Sequence, residues 1–271
     1  PVVVVKGDGT MMSSQLAKIR PVETILSGPA ASVAGARHLT GINDALVVDM
    51  GGTTTDTTAL SSGIVRLNEE GSNVGGIRTH VKALDIRTIG LGGDSLIRYE
   101  RAKFHIGPKR VAPIAWLGRN WSGAEAALDY LRRHLKRYRS STLRMQILVK
   151  AGGDQSMQLS TLEETIIGLL KQRPYSIDEM LHATGAIAEG SLHLERLEEN
   201  FVIQRCGLTL TDLLHINGRF VEWDTETARV YAEFHASIVN QPLSVMIDHI
   251  MSLGVKRLSM ELLKRRLDDD M

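Results

Sequence analysis

The sequence predicts an α/β protein with a mixed central sheet, interrupted by a largely helical insert. Apolar, mostly β-branched runs at residues 2–5 and 45–48 are typical of buried strands, and the small-residue stretch at 30–36 between them is typical of a helix packed closely on a sheet. From about residue 101 the apolar residues recur at helical spacing instead. The expected organisation is a core segment at 1–100, a largely helical insert at 101–206 and a return to the core at 207–271.

Composition limits the classes of protein to be considered. The chain has 271 residues, 43% of them hydrophobic, which suffices for one large or two modest domains. A net charge of +1 gives no global field that favours nucleic acid. The single cysteine, Cys206, cannot form an internal disulfide, so we expect a cytoplasmic protein with Cys206 buried in a strand at 201–206. No apolar run is long enough for a membrane helix. Because the chain begins with Pro1, we expect a fragment or a processed piece.

Local signals place the elements of the first hundred residues. Ser27 is expected to cap the helix at 30–36, with Pro29 in its first turn, and Gly41 is expected to end it. Ser61, Ser62 and Gly63 favour a hairpin turn. The remaining strands of this segment are expected at 57–60, 64–67 and 79–88.

The run VVDMGGTTTDTTAL, residues 47–60, carries the clearest chemical signal. Gly51 and Gly52 allow a tight turn whose backbone N–H groups can face an anion. Thr53, Thr54 and Thr55 add hydroxyl donors, and Asp49 and Asp56 supply carboxylates that suit Mg²⁺ and its waters. The pattern predicts a phosphate-binding hairpin. The alternative is a plain Gly-Gly turn flanked by threonines that favour strands, but such a turn does not need two aspartates.

A second glycine site follows at residues 88–100. Gly92 and Gly93 are expected to form a loop after a strand, and Asp94 or Ser95 is expected to cap a helix whose N-terminus would favour an anion. We interpret Gly92, Gly93 and Ser95 as part of the same ligand site as the hairpin. The alternative is an ordinary capped helix after a loop.

Other titratable residues are weaker candidates. His80 and Asp85 lie between the two glycine loops and are considered as metal ligands beside Asp49 and Asp56. Asp212 and His215 would share a helix face, but a capping aspartate and an ordinary surface histidine are the preferred interpretation of that pair.

The insert is expected to contain three helices and a strand at 160–206. Thr161 with Glu164, and Ser176 with Glu179, fit capping boxes at the first two helices; a third helix is expected at 188–197. This order resembles a winged helix-turn-helix, although a small helical insert is the preferred interpretation because the third helix is rich in glutamate and suits a phosphate backbone poorly. The tail is expected to form helices at 224–239, 243–252 and 256–267.

The predicted helix that ends near residue 141 has a strongly basic side. A solvated face is the preferred interpretation, and a patch for phosphate or nucleic acid is the alternative. The basic residues are Arg132, Arg133, Lys136, Arg137 and Arg139.

Several segments together resemble the hydantoinase A and 5-oxoprolinase family, which includes acetone carboxylase subunits. The resemblance rests on the hairpin run, on LSGPAASVAGARHLTG at 26–41 with PVETI before it, on TIGLGGDS at 88–95 and on the N-terminal PVVVVKGDGTMMS. GLTLTDLLHINGRF at 207–220 resembles a further element, in which proline often stands where this chain has Leu210. The resemblance is dense over 1–98 and 207–228. Two family elements, an earlier DxGGTxTD-type loop and a later glycine-rich adenosine loop, are not found here.

The resemblance implies a fold of the actin-like ATPase type (ribonuclease H-like), shared with sugar kinases and heat-shock chaperones. It further implies ATP and Mg²⁺ as cofactors, with a small cyclic amide such as a hydantoin or 5-oxoproline opened after phosphorylation of its carbonyl oxygen. Asp49 and Asp56 would then be the catalytic carboxylates. The expected partner is a second subunit or the missing parts of a longer chain, while a membrane and nucleic acid are not expected. The alternatives are a nucleotide-binding or interaction module without turnover and, less favoured, a DNA-binding regulator.

Overall fold

The computed structural model describes residues 2–68, 73–74, 77–78, 83–153 and 157–269. Two compact units account for the chain. The first comprises Pro1–Gly90 together with Ser259–Met271, and the second comprises Leu91–Leu258. Both contain helices and strands, so the predicted α/β class is confirmed. No helix in the described ranges is long and apolar enough to cross a membrane.

The first unit is built from short strands and two helices that precede the hairpin. The helices are α1 (Ser14–Ile19) and α2 (Ser27–Thr40), with a 3₁₀ turn at Pro21–Thr24 between them. The strands are β1 (Val3–Val5), β2 (Met11–Ser13), β3 (Ala45–Met50), β4 (Thr55–Ser61), β5 (Ile64–Val65), β6 (Leu67–Asn68), β7 (Asn73–Val74), β8 (Ile77–Arg78), β9 (Ala83–Leu84) and β10 (Arg87–Ile89).

Helix α2 is longer than predicted and begins differently. Ser27 is its first residue rather than its cap, because Leu26 takes the N-cap position in a left-handed conformation and no side chain caps the helix. Gly41 ends the helix as predicted: its φ of 68° is favourable for glycine, and its N–H donates to the Arg37 carbonyl.

The central sheet of this unit is antiparallel, with the order β10-β4-β3 and with β5 also paired to β4. The turn between β4 and β5 confirms the predicted hairpin, and Ser62 and Gly63 both have positive φ there, as a two-residue turn of this hand requires. Residues 79–82 of the predicted strand at 79–88 lie outside the described residues.

Strand β3 was expected to be buried, and this prediction is wrong. Leu46, Val48 and Met50 are 42%, 39% and 45% exposed, so one whole face of the strand is open. Burial alternates along the strand, and a short apolar run cannot distinguish a strand with one covered face from a strand that is buried on both faces.

The second unit carries a mixed sheet of order β13-β16-β14-β15, in which only β13 and β16 run parallel. A separate hairpin joins β11 to β12. The strands are β11 (Ser95–Glu100), β12 (Lys103–Arg110), β13 (Ala112–Pro113), β14 (Ile147–Lys150), β15 (Tyr175–Ser176) and β16 (Ile203–Gly207). The helices are α3 (Ile114–Asn120), α4 (Ala124–Arg133), α5 (Thr161–Leu170), α6 (Ile177–Thr184), α7 (Leu194–Glu199), α8 (Leu210–Ile216), α9 (Thr225–Ile238) and α10 (Leu243–Asp269), of which α10 belongs to this unit only up to Leu258.

The helix predicted to begin at Asp94 or Ser95 is absent, because Ser95 opens strand β11. Leu96 and Ile97 are buried, and the strand turns back into β12 through Arg101 and Ala102, both with positive φ. Strand pairing therefore overrides a local capping signal, which exists wherever a serine or aspartate precedes apolar residues.

The segment at 160–206 contains three helices, as expected, and its last strand begins at Ile203. The third helix, α7, begins only at Leu194, because Glu189–Leu192 form a 3₁₀ turn in place of the first part of the predicted helix. The capping box of α5 is formed by Ser160 and Glu163, one residue earlier than predicted. At α6, Ser176 accepts from the Glu179 N–H as predicted, but the Glu179 carboxylate bonds to Arg173 instead of completing the box.

These helices share a core of buried apolar side chains contributed by α5, α6, α7 and the strands beside them. The extra strand β15 was not predicted, and β14, which precedes α5 in the chain, lies between β15 and β16. The likeness to a winged helix stays a prediction. In the tail, α9 agrees with the prediction, whereas the two later helices are one continuous helix, α10.

Candidate functional site

The hairpin between β3 and β4 places its glycines at the tip of two paired strands. As predicted, the loop follows the C-terminal end of a strand: β3 ends at Met50 and β4 begins at Thr55. The Gly51 N–H donates to the Thr54 carbonyl over 2.9 Å and closes the turn. Within the described part of the chain, the N–H groups of Gly52 and Thr53 make no hydrogen bond, so both donors remain available to a ligand.

Three polar side chains form a row across the neighbouring strands. Asp49 of β3 pairs directly with Asp56 of β4, and Asp56 pairs on its other side with Thr88 of β10. Directly paired residues project from the same face of a sheet, so the row lies on one face. The Thr88 hydroxyl donates to Asp56 Oδ1 over 2.5 Å.

The arrangement of Asp49 and Asp56 is electrostatically unfavourable without a cation. Like charges directly opposite each other destabilise an antiparallel pair. Both residues are half-buried, which reduces screening by water. A divalent cation between or beside the carboxylates would offset this repulsion, and carboxylate oxygens with water are the ligands that Mg²⁺ accepts.

The three threonines of the loop are not equivalent. Thr53 is exposed and Thr54 is half-buried, so their hydroxyl groups lie on the turn. Thr55 is fully buried in β4, and its hydroxyl faces away from solvent. We therefore retain Thr53 and Thr54 as candidate phosphate ligands and assign Thr55 to the packing of the strand.

Thr88 was missed as a site residue. It begins the segment TIGLGGDS, but the sequence offers no local reason to place it beside Asp56, which lies 32 residues earlier. Only the pairing of β10 with β4 brings the two together.

The second glycine loop is held by its own hydrogen bonds within the second unit. The Ser95 hydroxyl accepts from the Gly92 N–H over 2.9 Å, and the Ser95 N–H donates to the Gly92 carbonyl. The Gly93 carbonyl accepts from the N–H of Thr211. Ser95 is 1% exposed. Its hydroxyl therefore stabilises a turn. That this loop and the hairpin face one cleft stays a prediction.

Four residues were predicted as metal ligands, namely Asp49, Asp56, His80 and Asp85, and the structure describes three of them. His80 lies outside the described residues. The Asp85 carbonyl accepts from the Thr58 hydroxyl over 2.8 Å, which fixes the backbone of Asp85 beside β4. Among the residues that the structure describes, no three or more histidine, cysteine, aspartate or glutamate side chains are grouped as a metal site. The hairpin itself supplies Asp49 and Asp56, so a bound Mg²⁺ would complete its shell with water and phosphate oxygens.

Asp212 is a capping carboxylate, as preferred from the sequence. Thr209, rather than Thr211 or Asp212, is the N-cap of α8, and Asp212 completes its capping box. Asp212 Oδ1 also accepts from the Ala115 N–H over 2.7 Å, which ties α8 to the start of α3. Burial raises the pKa of this carboxyl to about 6, against the lowering effect of its hydrogen bonds.

His215 is buried, so its predicted place on the surface is wrong. Nδ1 lies 2.8 Å from the Thr211 carbonyl and Nε2 accepts from the Trp223 N–H, which assigns the neutral tautomer with the proton on Nδ1. The ring stacks on Trp223 at 5.4 Å. Cys206 is also buried, as expected, and burial raises the pKa of its thiol. Both side chains serve packing.

Comparison with known proteins gives matches that each cover part of the chain. Residues 1–114 match the family described as Hydantoinase/oxoprolinase. The uncharacterized protein C11D3.14c of Schizosaccharomyces pombe is 29% identical over 109 residues, which covers 38% of this chain and 8% of that protein. A nucleotide-free structure of acetone carboxylase, from work on ATP-dependent acetone carboxylation, is 22% identical with a TM-score of 0.37, over 42% of this chain and 17% of that one. The chain thus spans less than a tenth of the curated relative.

Proposed function

We propose that this chain, whose residues 1–114 match the family described as Hydantoinase/oxoprolinase, is the phosphate-binding part of an ATP-dependent hydrolase that opens a cyclic amide of the hydantoin or 5-oxoproline type. The observation that carries the proposal is the cross-strand pair of Asp49 and Asp56 below a glycine turn. The family match suggests the class of reaction, and the hairpin would hold the phosphates and the metal. The fold is proposed to be of the actin-like ATPase type.

The turn would bind the anion. Gly52 and Thr53 offer two N–H donors with no partner in the described part of the chain, and the Thr53 hydroxyl is exposed beside them. Preorganised donors of this kind stabilise the charge on a transferring phosphoryl group without reorganising during the reaction. Gly51 and Gly52 have no side chain of their own that would keep a ligand away from the backbone of the turn.

The carboxylates would hold the metal. Asp49 and Asp56 fit Mg²⁺ in charge and in ligand type, and the row leaves Asp56 Oδ2 free of the Thr88 hydrogen bond. Held by these residues, Mg²⁺ would supply positive charge that offsets the charge of the phosphate groups. Thr88 would be a positioning residue, because its hydroxyl fixes the orientation of the Asp56 carboxylate.

The chemistry explains the need for ATP. Amide resonance makes a cyclic amide a poor electrophile, and phosphorylation of its carbonyl oxygen would make the ring carbon open to attack by water. The residues for substrate binding, the rest of the nucleotide site and a partner subunit are proposed to come from a longer chain or a second chain. A cytoplasmic location agrees with the single buried Cys206.

The test is an isothermal titration of this chain with ATP, with and without Mg²⁺, followed by phosphate release from a longer protein that contains it. We expect weak binding by this chain that depends on Mg²⁺, and turnover of a cyclic amide only in the longer protein. Binding without turnover in the longer protein would favour the alternative of a nucleotide-binding module. Absence of Mg²⁺-dependent binding in both would contradict the proposal.

A further inference from the structure

The second unit carries a run of positive charge that the proposed function does not use. Between residues 130 and 153 there are seven lysine and arginine residues and no acidic residue, although the whole chain has a net charge of only +1. The remainder of the chain is therefore acidic. The seven are Arg132, Arg133, Lys136, Arg137, Arg139, Arg144 and Lys150.

These cations stand on a fixed backbone. α4 ends at Arg133, and 3₁₀ turns follow at Leu135–Tyr138 and Leu143–Met145. Leu131, Tyr138 and Met145 are buried and hold the segment against the unit, while the six cations from Arg132 to Arg144 are exposed. Cations held in this way lose less freedom on binding an anion than cations on a loose loop.

Two of the arginines converge with a histidine from another element. Arg137 and Arg144 line a depression of about 280 Å³ together with His182 of α6. The acid that lines it, Asp178, is already engaged: its Oδ2 accepts from the Tyr138 hydroxyl at 3.0 Å and from Arg137 at 3.2 Å. In the described ranges no ion pair neutralises Lys136, Arg139 or Arg144. Arg144 therefore gives the depression an unpaired positive charge, and Lys136 and Arg139 add two more on the segment that carries Arg137.

We propose that this basic surface, defined by Lys136, Arg137, Arg139, Arg144 and His182, binds the phosphate backbone of duplex nucleic acid without reading its sequence. Arginine dominates the surface, and its planar fork matches phosphate oxygens better than the point charge of lysine. Phosphate contacts of this kind position a protein on a duplex and are independent of base identity.

The neighbouring helices argue against sequence reading. α7, which stands where a recognition helix would be expected, carries Glu195, Glu198 and Glu199, and its Arg196 is bonded to Glu163 of α5. A membrane surface is the less suitable partner. The apolar side of α4, with Ala127, Leu128 and Leu131, is buried in the unit, so it cannot enter a bilayer interface.

The test is fluorescence anisotropy with a labelled 24-base-pair DNA duplex of arbitrary sequence, titrated at several salt concentrations. The charge variant is Lys136→Gln/Arg139→Gln/Arg144→Gln, which leaves the Arg137–Asp178 bond intact. The matched control is Lys18→Gln/Arg119→Gln/Lys256→Gln, three exposed cations elsewhere whose loss lowers the net charge by the same three units.

The wild-type chain is expected to bind with a Kd on the order of 10⁻⁴ to 10⁻⁶ M at physiological salt, with equal affinity for unrelated sequences. The charge variant should bind roughly tenfold or more weakly at low salt, and the slope of log affinity against log salt should fall by about three. The control should bind like the wild type. The proposal would be overturned if both variants lost the same affinity or if the wild type did not bind DNA. It would also be overturned if the chain bound phosphatidylserine vesicles, in a charge-dependent way, in place of DNA.

Discussion

The Thr88 hydroxyl donates a 2.5 Å hydrogen bond to Asp56 Oδ1 across two adjacent antiparallel strands. Asp56 is in turn directly opposite Asp49, so that one carboxylate lies between a hydroxyl donor and a second acid. A simple glycine turn has no such row of acidic and hydroxyl side chains. Within Asp56, Oδ1 is held by Thr88, which leaves Oδ2 and the carboxylate of Asp49 as the candidate metal ligands.

Replacement of Thr88 tests whether the hydroxyl positions Asp56. Thr88→Val removes a solvent-exposed hydrogen bond, so its loss should change the orientation of the Asp56 carboxylate more than the stability of the fold. We expect the Mg²⁺ concentration that supports half-maximal ATP binding to rise roughly tenfold, which corresponds to about 1.4 kcal/mol. The measurement is a Mg²⁺ titration of ATP binding.

Thr88→Ser keeps the hydroxyl and is the matched control, expected to restore the Mg²⁺ response. Valine favours strands as well as threonine does, so thermal stability should stay near the wild-type value in both variants. A parallel loss of stability and Mg²⁺ response in Thr88→Val and Thr88→Ser would show that Thr88 has only a structural role.

Asp212→Asn should destabilise the second unit. The carboxylate accepts hydrogen bonds from the N–H groups of Ala115 and Thr209 and from the Thr209 hydroxyl. In Asp212→Asn, an NH₂ group replaces one of the two oxygens, so at least one of these donors loses its acceptor. A buried donor left without an acceptor costs about 1–3 kcal/mol. Chemical denaturation near pH 4, where the raised pKa of Asp212 leaves its contribution to stability in full, measures the loss, and an unchanged free energy of unfolding there would contradict this assignment.

The same carboxyl gives a defined pH dependence. Its pKa is raised to about 6 in the folded state from an ordinary value of 3.8, so between these values the folded state binds more protons than the unfolded state. The contribution of Asp212 to stability is therefore fully present below about pH 4 and falls as pH rises towards 6. The difference in unfolding free energy between wild type and Asp212→Asn should follow this trend.

His235 should act in the opposite direction. Burial lowers its pKa to about 4 from an ordinary 6.5, so the folded state disfavours the charged ring. Stability contributed by the neutral ring is present above about pH 6.5 and is lost as pH falls towards 4. His235→Phe removes the titration, and its melting temperature should fall less steeply over this range than that of the wild type. Identical pH profiles would contradict the prediction.

Much of the hairpin could be predicted from sequence because its signals are local. An apolar run before Gly51 and Gly52 defines a strand and a turn, and Gly41 marks a helix end by its need for positive φ. The same holds for the serine-glycine turn between β4 and β5. The chemistry of Asp49 and Asp56 follows from their positions beside that turn.

What failed depended on contacts distant in sequence. Whether one face or both faces of β3 are covered depends on what packs against the sheet, and the run of apolar residues is the same in both cases. Ser95 is a residue type that often caps helices, but here it begins β11, which pairs with β12 in a hairpin. Thr88 could be placed beside Asp56 only once β10 was known to pair with β4. His215 was misplaced because its partners, Trp223 and Phe220, follow α8 in an irregular segment.

The central claim is that the carboxylates of the hairpin hold the metal that ATP hydrolysis requires. The most direct measurement is substrate-dependent phosphate release by a longer protein that contains this chain, compared between wild type, Asp49→Ala and the exposed control Asp248→Ala. Loss of a preorganised charge-stabilising group predicts a fall of about two orders of magnitude or more in Asp49→Ala. The fold should be retained, because a half-buried carboxylate at an edge strand contributes little packing, and Asp248→Ala should resemble the wild type. Unchanged turnover in Asp49→Ala would contradict the account.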